Sequence, residues 1–110
     1  MNYQALTGDQ AYSKMNGTSL QGYIHANYDL LRELFGDPIM NDGYKTDAEW
    51  CVEFDDGTIA TIYNYKDGYN YNGSDGIAIH HITNWHIGGK NQKASDYINE
   101  LLTNKNEEVQ

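Results

Sequence analysis

Residues 47–89 decide the fold. They begin DAEWCVEFDDGTIATIYNYKDG (47–68) and end GIAIHHITNWHIGG (76–89). In the first part, apolar and polar residues alternate on both sides of an Asp-Gly turn at Asp56 and Gly57, which is the pattern of a β-hairpin. The second part adds an apolar run over residues 77–87, which we interpret as a third strand. The stretch therefore predicts a three-stranded antiparallel meander.

Helical spacing flanks this meander on both sides. Residues 28–35 repeat apolar side chains at helical intervals, with Asn27 as a candidate N-cap and Gly36 as the C-terminal stop. Residues 92–103 carry the stripe of an amphipathic helix, and residues 17–26 alternate weakly, as a short strand does. We predict an α+β fold in the order (β)αβββα, in which three or four antiparallel strands pack against one or two helices.

The chain length of 110 residues fits one domain. We expect residues 17–104 to form this domain. Residues 1–16 show little periodicity and predict an irregular N-terminal segment, residues 67–76 predict a flexible loop, and residues 105–110 predict a polar tail.

The charge balance restricts the classes of binding partner that the chain can have. Seven basic residues stand against 16 acidic ones, for a net charge of -9. Such a chain repels nucleic acid and anionic membranes and favours a basic partner. Nine carboxylates lie between positions 29 and 56, which concentrates the negative charge there. The chain also has ten tyrosines, whose rings supply apolar area with a polar tip.

No enzymatic constellation emerges from the sequence. Glu49 and Glu53 stand about 13 Å apart along one strand, too far for a glycosidase pair. Cys51 lies within a strand, where a cysteine is usually an inert, buried residue. We therefore expect a protein without enzymatic activity.

Metals and cofactors are likewise not expected. His80, His81 and His86 fall on one predicted strand, where His80 and His86 would stand about 20 Å apart, too far to share an ion. The turn at Gly88 and Gly89, followed by a lysine, could bind an anion at the start of a helix, but it lacks the spacing of a phosphate-binding loop.

Several segments together resemble a family of small phage and prophage proteins. The pattern is LQGYI, FG-x-P, K-x-x-x-EW, DG, TIY-x-YK and WHIGG, and it spans about residues 17–102. Here it is carried by Leu20–Ile24, Phe35–Pro38, Lys45–Trp50, Asp56–Gly57, Thr61–Lys66 and Trp85–Gly89. The resemblance implies an origin in a phage or mobile element. Small acidic phage proteins are often inhibitors of host defence.

The leading hypothesis is therefore a phage-encoded inhibitor of a bacterial defence system, similar to anti-CRISPR proteins. Its acidic face would bind a basic, nucleic-acid-contacting surface of an effector protein, with no direct contact to nucleic acid. The carboxylates and aromatic anchors that we expect to bind the partner are Asp42, Asp47, Glu49, Glu53, Asp55, Asp56, Tyr69 and Tyr71.

Two alternatives remain open. One is a small-molecule binding protein, such as a sponge for a nucleotide signal, which would use the Gly88-Gly89-Lys90 turn and stacking on Trp85. The other is an accessory of phage assembly. The first residues show neither a basic start nor the apolar run of a secretion signal, and no membrane-spanning run occurs, so we expect the protein in the cytosol of the host cell.

Overall fold

The computed structural model describes residues 2–39 and 45–109. For residues 106–109 it describes the backbone only. Its strands are β1 Tyr3–Leu6, β2 Ser19–His25, β3 Glu49–Phe54, β4 Ile59–Tyr63 and β5 Asn84–Gly89. Its α-helices are α1 Gly8–Met15, α2 Tyr28–Phe35, α3 Tyr69–Asn72 and α4 Lys93–Val109. Two 3₁₀ turns, Gly73–Asp75 and Ile79–His81, lie between β4 and β5.

The five strands form one antiparallel sheet in the order β1-β3-β4-β5-β2. The predicted α+β class is confirmed, and the meander appears as the central β3-β4-β5 unit. The two N-terminal strands close the sheet at its opposite edges, so the sheet has one strand more than the largest number predicted.

Three local predictions are wrong. The N-terminal segment is not irregular, because it forms β1 and α1. The third strand does not begin at residue 77, since residues 79–81 form a 3₁₀ turn and β5 starts only at Asn84. The loop over residues 67–76 contains α3 and the 3₁₀ turn Gly73–Asp75. The backbone of α4 continues helical to Val109, into the segment expected as a tail.

One face of the sheet, the inner face, carries the main core. Trp50 and Val52 from β3 meet Ile62 from β4 and Trp85 from β5, all at most 1% exposed. Helices α2 and α4 cover this face with residues that include Leu31, Phe35, Ala94, Ile98 and Leu102. The indole N–H groups are satisfied: Trp50 donates to Gly36 O at 2.8 Å and Trp85 to Ala26 O at 2.8 Å.

The opposite, outer face is covered at one end only by α1. There Leu6, Ala11, Cys51 and Ile59 form a second, smaller buried cluster. The Cys51 thiol lies 3.9 Å from the carbonyl oxygen of Ala11. The prediction that helices lie on one apolar face of the sheet therefore accounts for only part of the packing. The end of the outer face that lies on β4, β5 and β2 is the place where the candidate site is found.

Candidate protein-binding site

Four residues of the outer face stand side by side across four strands. In the register of the sheet, Glu49 of β3 pairs with Tyr63 of β4, Tyr63 with His86 of β5, and His86 with Tyr23 of β2. Directly paired residues of antiparallel strands project from the same face. The sheet thus builds a row that runs from a carboxylate to three rings.

The rings of this row gather around His86. Its imidazole centroid lies 5.0 Å from the ring of Tyr23, 5.4 Å from that of Tyr63 and 5.6 Å from that of Tyr65. The first contact is edge-to-face and the other two are tilted, which are favourable arrangements for aromatic pairs. We call Tyr23, Tyr63, Tyr65 and His86 the ring patch.

The ring patch is open to solvent at its margins. Tyr23 is 62% exposed and Tyr65 is 41% exposed, and Leu20, on the same strand as Tyr23, is 46% exposed. Large apolar side chains left this open next to one another are typical of an interaction surface. Tyr63 and His86 are only partly exposed and form the floor of the patch.

A lysine links the ring patch to the loop after β4. The Lys66 ammonium lies 5.2 Å from the centroid of Tyr65 and 5.4 Å from that of Tyr71, within cation–π range of both. Its backbone is left-handed (φ 61°), which is uncommon for a residue other than glycine. Of the two predicted aromatic anchors, Tyr71 is thereby joined to the patch.

Two carboxylates act on rings of the patch. Burial raises the pKa of Tyr63, and the nearby Glu49 carboxylate raises it further. Burial lowers the pKa of His86, and the Asp67 carboxylate opposes this effect in part. The phenol of Tyr63 is therefore protonated and the imidazole of His86 is neutral near pH 7. The charges next to these rings are thus the carboxylates of Glu49 and Asp67 and the ammonium of Lys66.

Of the predicted acidic residues, Glu49 is buried and Asp47 is half-buried. Glu49 is only 5% exposed. Asp47 accepts a hydrogen bond from Asn64 Nδ2 at 3.0 Å and one from Asn70 N at 3.4 Å. Asn64 is fully buried, and its Oδ1 also accepts hydrogen bonds from the backbone N–H groups of Asp47 and Ala48. Asp47 therefore belongs to a hydrogen-bond network that links the segment before β3 to the segment after β4. Glu49 is too buried for direct contact with a partner.

The hairpin tip carries the predicted carboxylates that are exposed. Asp55 and Asp56 are both exposed at the β3–β4 turn, and Asp56 accepts hydrogen bonds from Thr58 N at 2.9 Å and Tyr97 Oη at 2.7 Å. Glu53, on the strand before them, is half-buried and pairs with Lys14 of α1 at 3.4 Å. Asp42 lies outside the described residues.

The predicted site is therefore not brought together as one surface. Asp55 and Asp56 precede β4, whereas Tyr69 and Tyr71 follow it, so the two groups lie at opposite ends of that strand. The length of β4 alone separates them by about 17 Å. Tyr69 is 51% exposed and Tyr71 is 38% exposed. Through Lys66 the structure instead joins Tyr71 to the ring patch, whose four rings sequence reasoning did not include in the site: Tyr23, Tyr63, Tyr65 and His86.

The histidines that were considered as metal ligands do not lie together in the structure. Among the residues that the structure describes, no three His, Cys, Asp or Glu side chains converge to hold a metal ion. His86 lies on β5, whereas His80 and His81 belong to a 3₁₀ turn, so the prediction of one shared strand is wrong.

The glycine pair ends β5 and does not form a separate turn. A side chain at Gly88 would collide with Thr61 Oγ1, so glycine is required there by close packing. Trp85 is fully buried and cannot stack on a ligand. Lys90 and Lys93 line a cavity of about 240 Å³. The carboxylate of Asp56 lines the same cavity, so its negative charge opposes the binding of an external anion there.

Comparison with known proteins identifies no relative: no family model, curated protein or solved structure matches this chain. In the part of the chain that the structure describes, no helix is both long and apolar enough to cross a bilayer.

Proposed function

We propose that this protein is a non-enzymatic binding protein whose target is a basic surface of another protein. In its full form, the proposal is a phage-encoded inhibitor of a bacterial defence system, similar to anti-CRISPR proteins, that acts in the host cytosol. The observation that supports it best is the ring patch, an open group of tyrosines with the Glu49 and Asp67 carboxylates beside it.

The chemistry of the patch suits arginine and lysine side chains. A guanidinium over an exposed tyrosine ring gains about 0.5–1 kcal/mol, and more when the contact excludes water. Tyrosine is also among the residues that contribute most to protein interfaces, because its ring buries a large area and its hydroxyl bonds the partner. The arrangement of Lys66 between Tyr65 and Tyr71 is an internal example of the same contact.

The net charge of -9 extends this preference over the whole molecule. A protein surface that contacts nucleic acid is rich in arginine and lysine and attracts an acidic protein over a long range. Nucleic acid itself would be repelled by this chain, although tyrosines can stack on bases. The favoured target is therefore the basic cleft of an effector, occupied in place of its nucleic acid.

The test is binding to a panel of purified CRISPR effector nucleases and restriction enzymes, measured by biolayer interferometry. Salt is varied from about 50 to about 500 mM, a range over which electrostatic attraction is increasingly screened. We expect one effector to bind and its affinity to fall with salt. No binding across the panel in low salt, or binding that salt does not weaken, would contradict the proposal.

Variants locate the surface. Tyr23→Ala with Tyr65→Ala removes the two exposed rings of the patch and should weaken binding by roughly tenfold or more, about 1.4 kcal/mol. Tyr12→Ala truncates a tyrosine of α1 that is 45% exposed and lies outside the patch, so this control should bind as the wild type does. Asp55→Lys, compared with Asp75→Lys, measures the part played by the hairpin tip.

A further inference from the structure

Strand β2 forms one edge of the sheet and is unusually open for a strand. It pairs with β5 on one side and is the last strand in the order. Four of its seven residues are exposed: Ser19, Leu20, Tyr23 and His25. Among them Leu20 is 46% exposed and Tyr23 is 62% exposed, so exposed apolar side chains lie on a strand whose second side pairs with no strand of the described residues.

This edge has little of the protection that isolates edge strands. Natural sheets protect their edges with charged residues, prolines or bulges, because a bare edge pairs with other strands. The sequence of β2, SLQGYIH, contains no Asp, Glu, Lys, Arg or Pro. One irregularity is present, a shift of register between Leu20 and Gly22.

The irregularity brings the two apolar residues onto one face. Leu20 pairs with Gly88 and Tyr23 with His86, and these two partners lie two positions apart on β5. Residues two apart on a strand share a face. Leu20 and Tyr23 therefore both project from the outer face, where they form the margin of the ring patch.

We propose that β2 pairs with β2 of a second copy of this chain. A two-fold axis perpendicular to the sheet would align the two strands antiparallel and join two five-stranded sheets into one of ten strands. Such an interface is self-complementary, because each strand supplies the same groups to the other. Leu20 and Tyr23 of both copies would lie along the seam on one shared face.

The distribution of charge favours a second copy of this chain as the partner of β2. Two copies with a net charge of -9 repel each other wherever their carboxylates meet. A seven-residue strip without charged residues lets them approach at the lowest electrostatic cost. A basic partner gains no comparable advantage at this edge, since β2 itself offers it no carboxylate.

Salt separates this inference from the proposed function. Screening weakens the repulsion between two acidic copies, so self-association should strengthen as salt rises. Binding to a basic target should weaken over the same range. A dimer that binds no target would overturn the proposed function and leave self-association intact. Target binding by a chain that stays monomeric would overturn self-association and leave the proposed function intact.

The experiment is sedimentation velocity of the full chain at about 5 to 300 µM, in low and in high salt, a range suited to micromolar association. The variant Leu20→Lys with Tyr23→Lys places lysines along the seam of both copies. The matched control, Ile77→Lys with Tyr69→Lys, makes the same change at an exposed isoleucine and tyrosine elsewhere, 44% and 51% exposed. Circular dichroism and thermal unfolding verify that both variants fold.

We expect a dimer that salt strengthens, that the edge variant weakens by roughly tenfold or more, and that the control retains. Both variants reduce the negative charge equally, so a general charge effect would change them alike. Three results would overturn the inference: a monomer at every concentration and salt, a dimer that the edge variant retains, or a dimer that both variants lose equally.

Discussion

Asp56 shows how a single surface residue can hold two distant parts of the chain together. Its carboxylate accepts hydrogen bonds from Thr58 within the turn and from Tyr97, which lies 41 positions further along the chain on α4. The hydrogen bonds from Thr58 and then from Tyr97 lower the pKa of Asp56 from its ordinary value of 3.8 to about 2. The Asp-Gly turn was recognisable from sequence, but the contact with Tyr97 depends on the packing of α4 and was not.

The first prediction concerns acid stability. A carboxyl whose pKa is lowered by folding stabilises the protein above the pKa of the unfolded chain, and this contribution disappears as the pH falls through the folded value. The Asp56 contribution should therefore be complete above about pH 4 and lost towards pH 2. Asp56→Asn should lower the melting temperature at pH 6, and its difference from the wild type should shrink between pH 4 and pH 2.

Thermal unfolding at a series of pH values measures this difference. Asp55→Asn, at the neighbouring exposed position, is the control and should show no comparable loss. A difference between wild type and Asp56→Asn that stays constant from pH 6 to pH 2 would mean that the two hydrogen bonds do not depend on the charge.

At the scale of the element, α2 is the helix whose sequence specifies both of its ends. The Asn27 side chain accepts a hydrogen bond from Leu30 N at 2.7 Å, which caps the first turn. Gly36 then takes a left-handed conformation (φ 81°) and donates its N–H to Arg32 O at 2.8 Å. Both ends were predicted correctly, because capping depends on residues within one turn of the helix.

The second prediction tests this cap. Asn27→Ala leaves Leu30 N without its partner and should lower the free energy of unfolding by about 1 kcal/mol, within a range of roughly 0.5–2. Asn27→Asp keeps an acceptor at the same place and should be close to neutral. Urea denaturation measures both changes. Equal losses for the two variants would show that the amide group of Asn27, and not its acceptor oxygen, is what matters.

The elements that the sequence did not reveal depend on distant partners. Strand β1 has four residues, too few for a clear alternation, and pairs with β3 across more than 40 positions. Helix α1 buries only Ala11, so it has no apolar stripe to detect. Residues 77–83 are rich in isoleucine, yet Ile77 is exposed and donates its N–H to Asp67 O at 2.8 Å. Residues 77–83 therefore belong to the connection between β4 and β5, although their composition is typical of a strand.

At the scale of the whole molecule, the outer face has one end that is closed and one that is open. Its β1–β3–β4 end is closed by α1 around Cys51, and its β4–β5–β2 end is open at the ring patch. Sequence reasoning named Tyr69 and Tyr71 as aromatic anchors, whereas the structure groups Tyr23, Tyr63, Tyr65 and His86. This grouping is not visible in the sequence, because Tyr23 and His86 lie 63 positions apart and become neighbours only when β2 joins the sheet beside β5.

The closed end provides the third prediction, because its stability can be measured separately. Leu6 is 2% exposed and packs in the cluster with Cys51, whose thiol has its pKa raised to about 11 by burial and then by the Glu49 and Glu53 carboxylates. A buried thiol with so high a pKa holds almost no thiolate near pH 7.5 and should resist alkylation in the folded protein.

Leu6→Ala removes buried side-chain volume and should lower the free energy of unfolding by about 2–5 kcal/mol. It should also speed the reaction of Cys51 with iodoacetamide, since opening of the β1–α1 segment exposes the thiol. Gln4→Ala, at an exposed position of the same strand, should change stability by no more than about 0.5 kcal/mol and leave the alkylation rate unchanged. If Leu6→Ala matches Gln4→Ala in both measurements, the N-terminal segment does not stabilise the fold. If it differs in both, residues 2–16 belong to the cooperative core, because the cover over Cys51 and the stability of the sheet are then lost together.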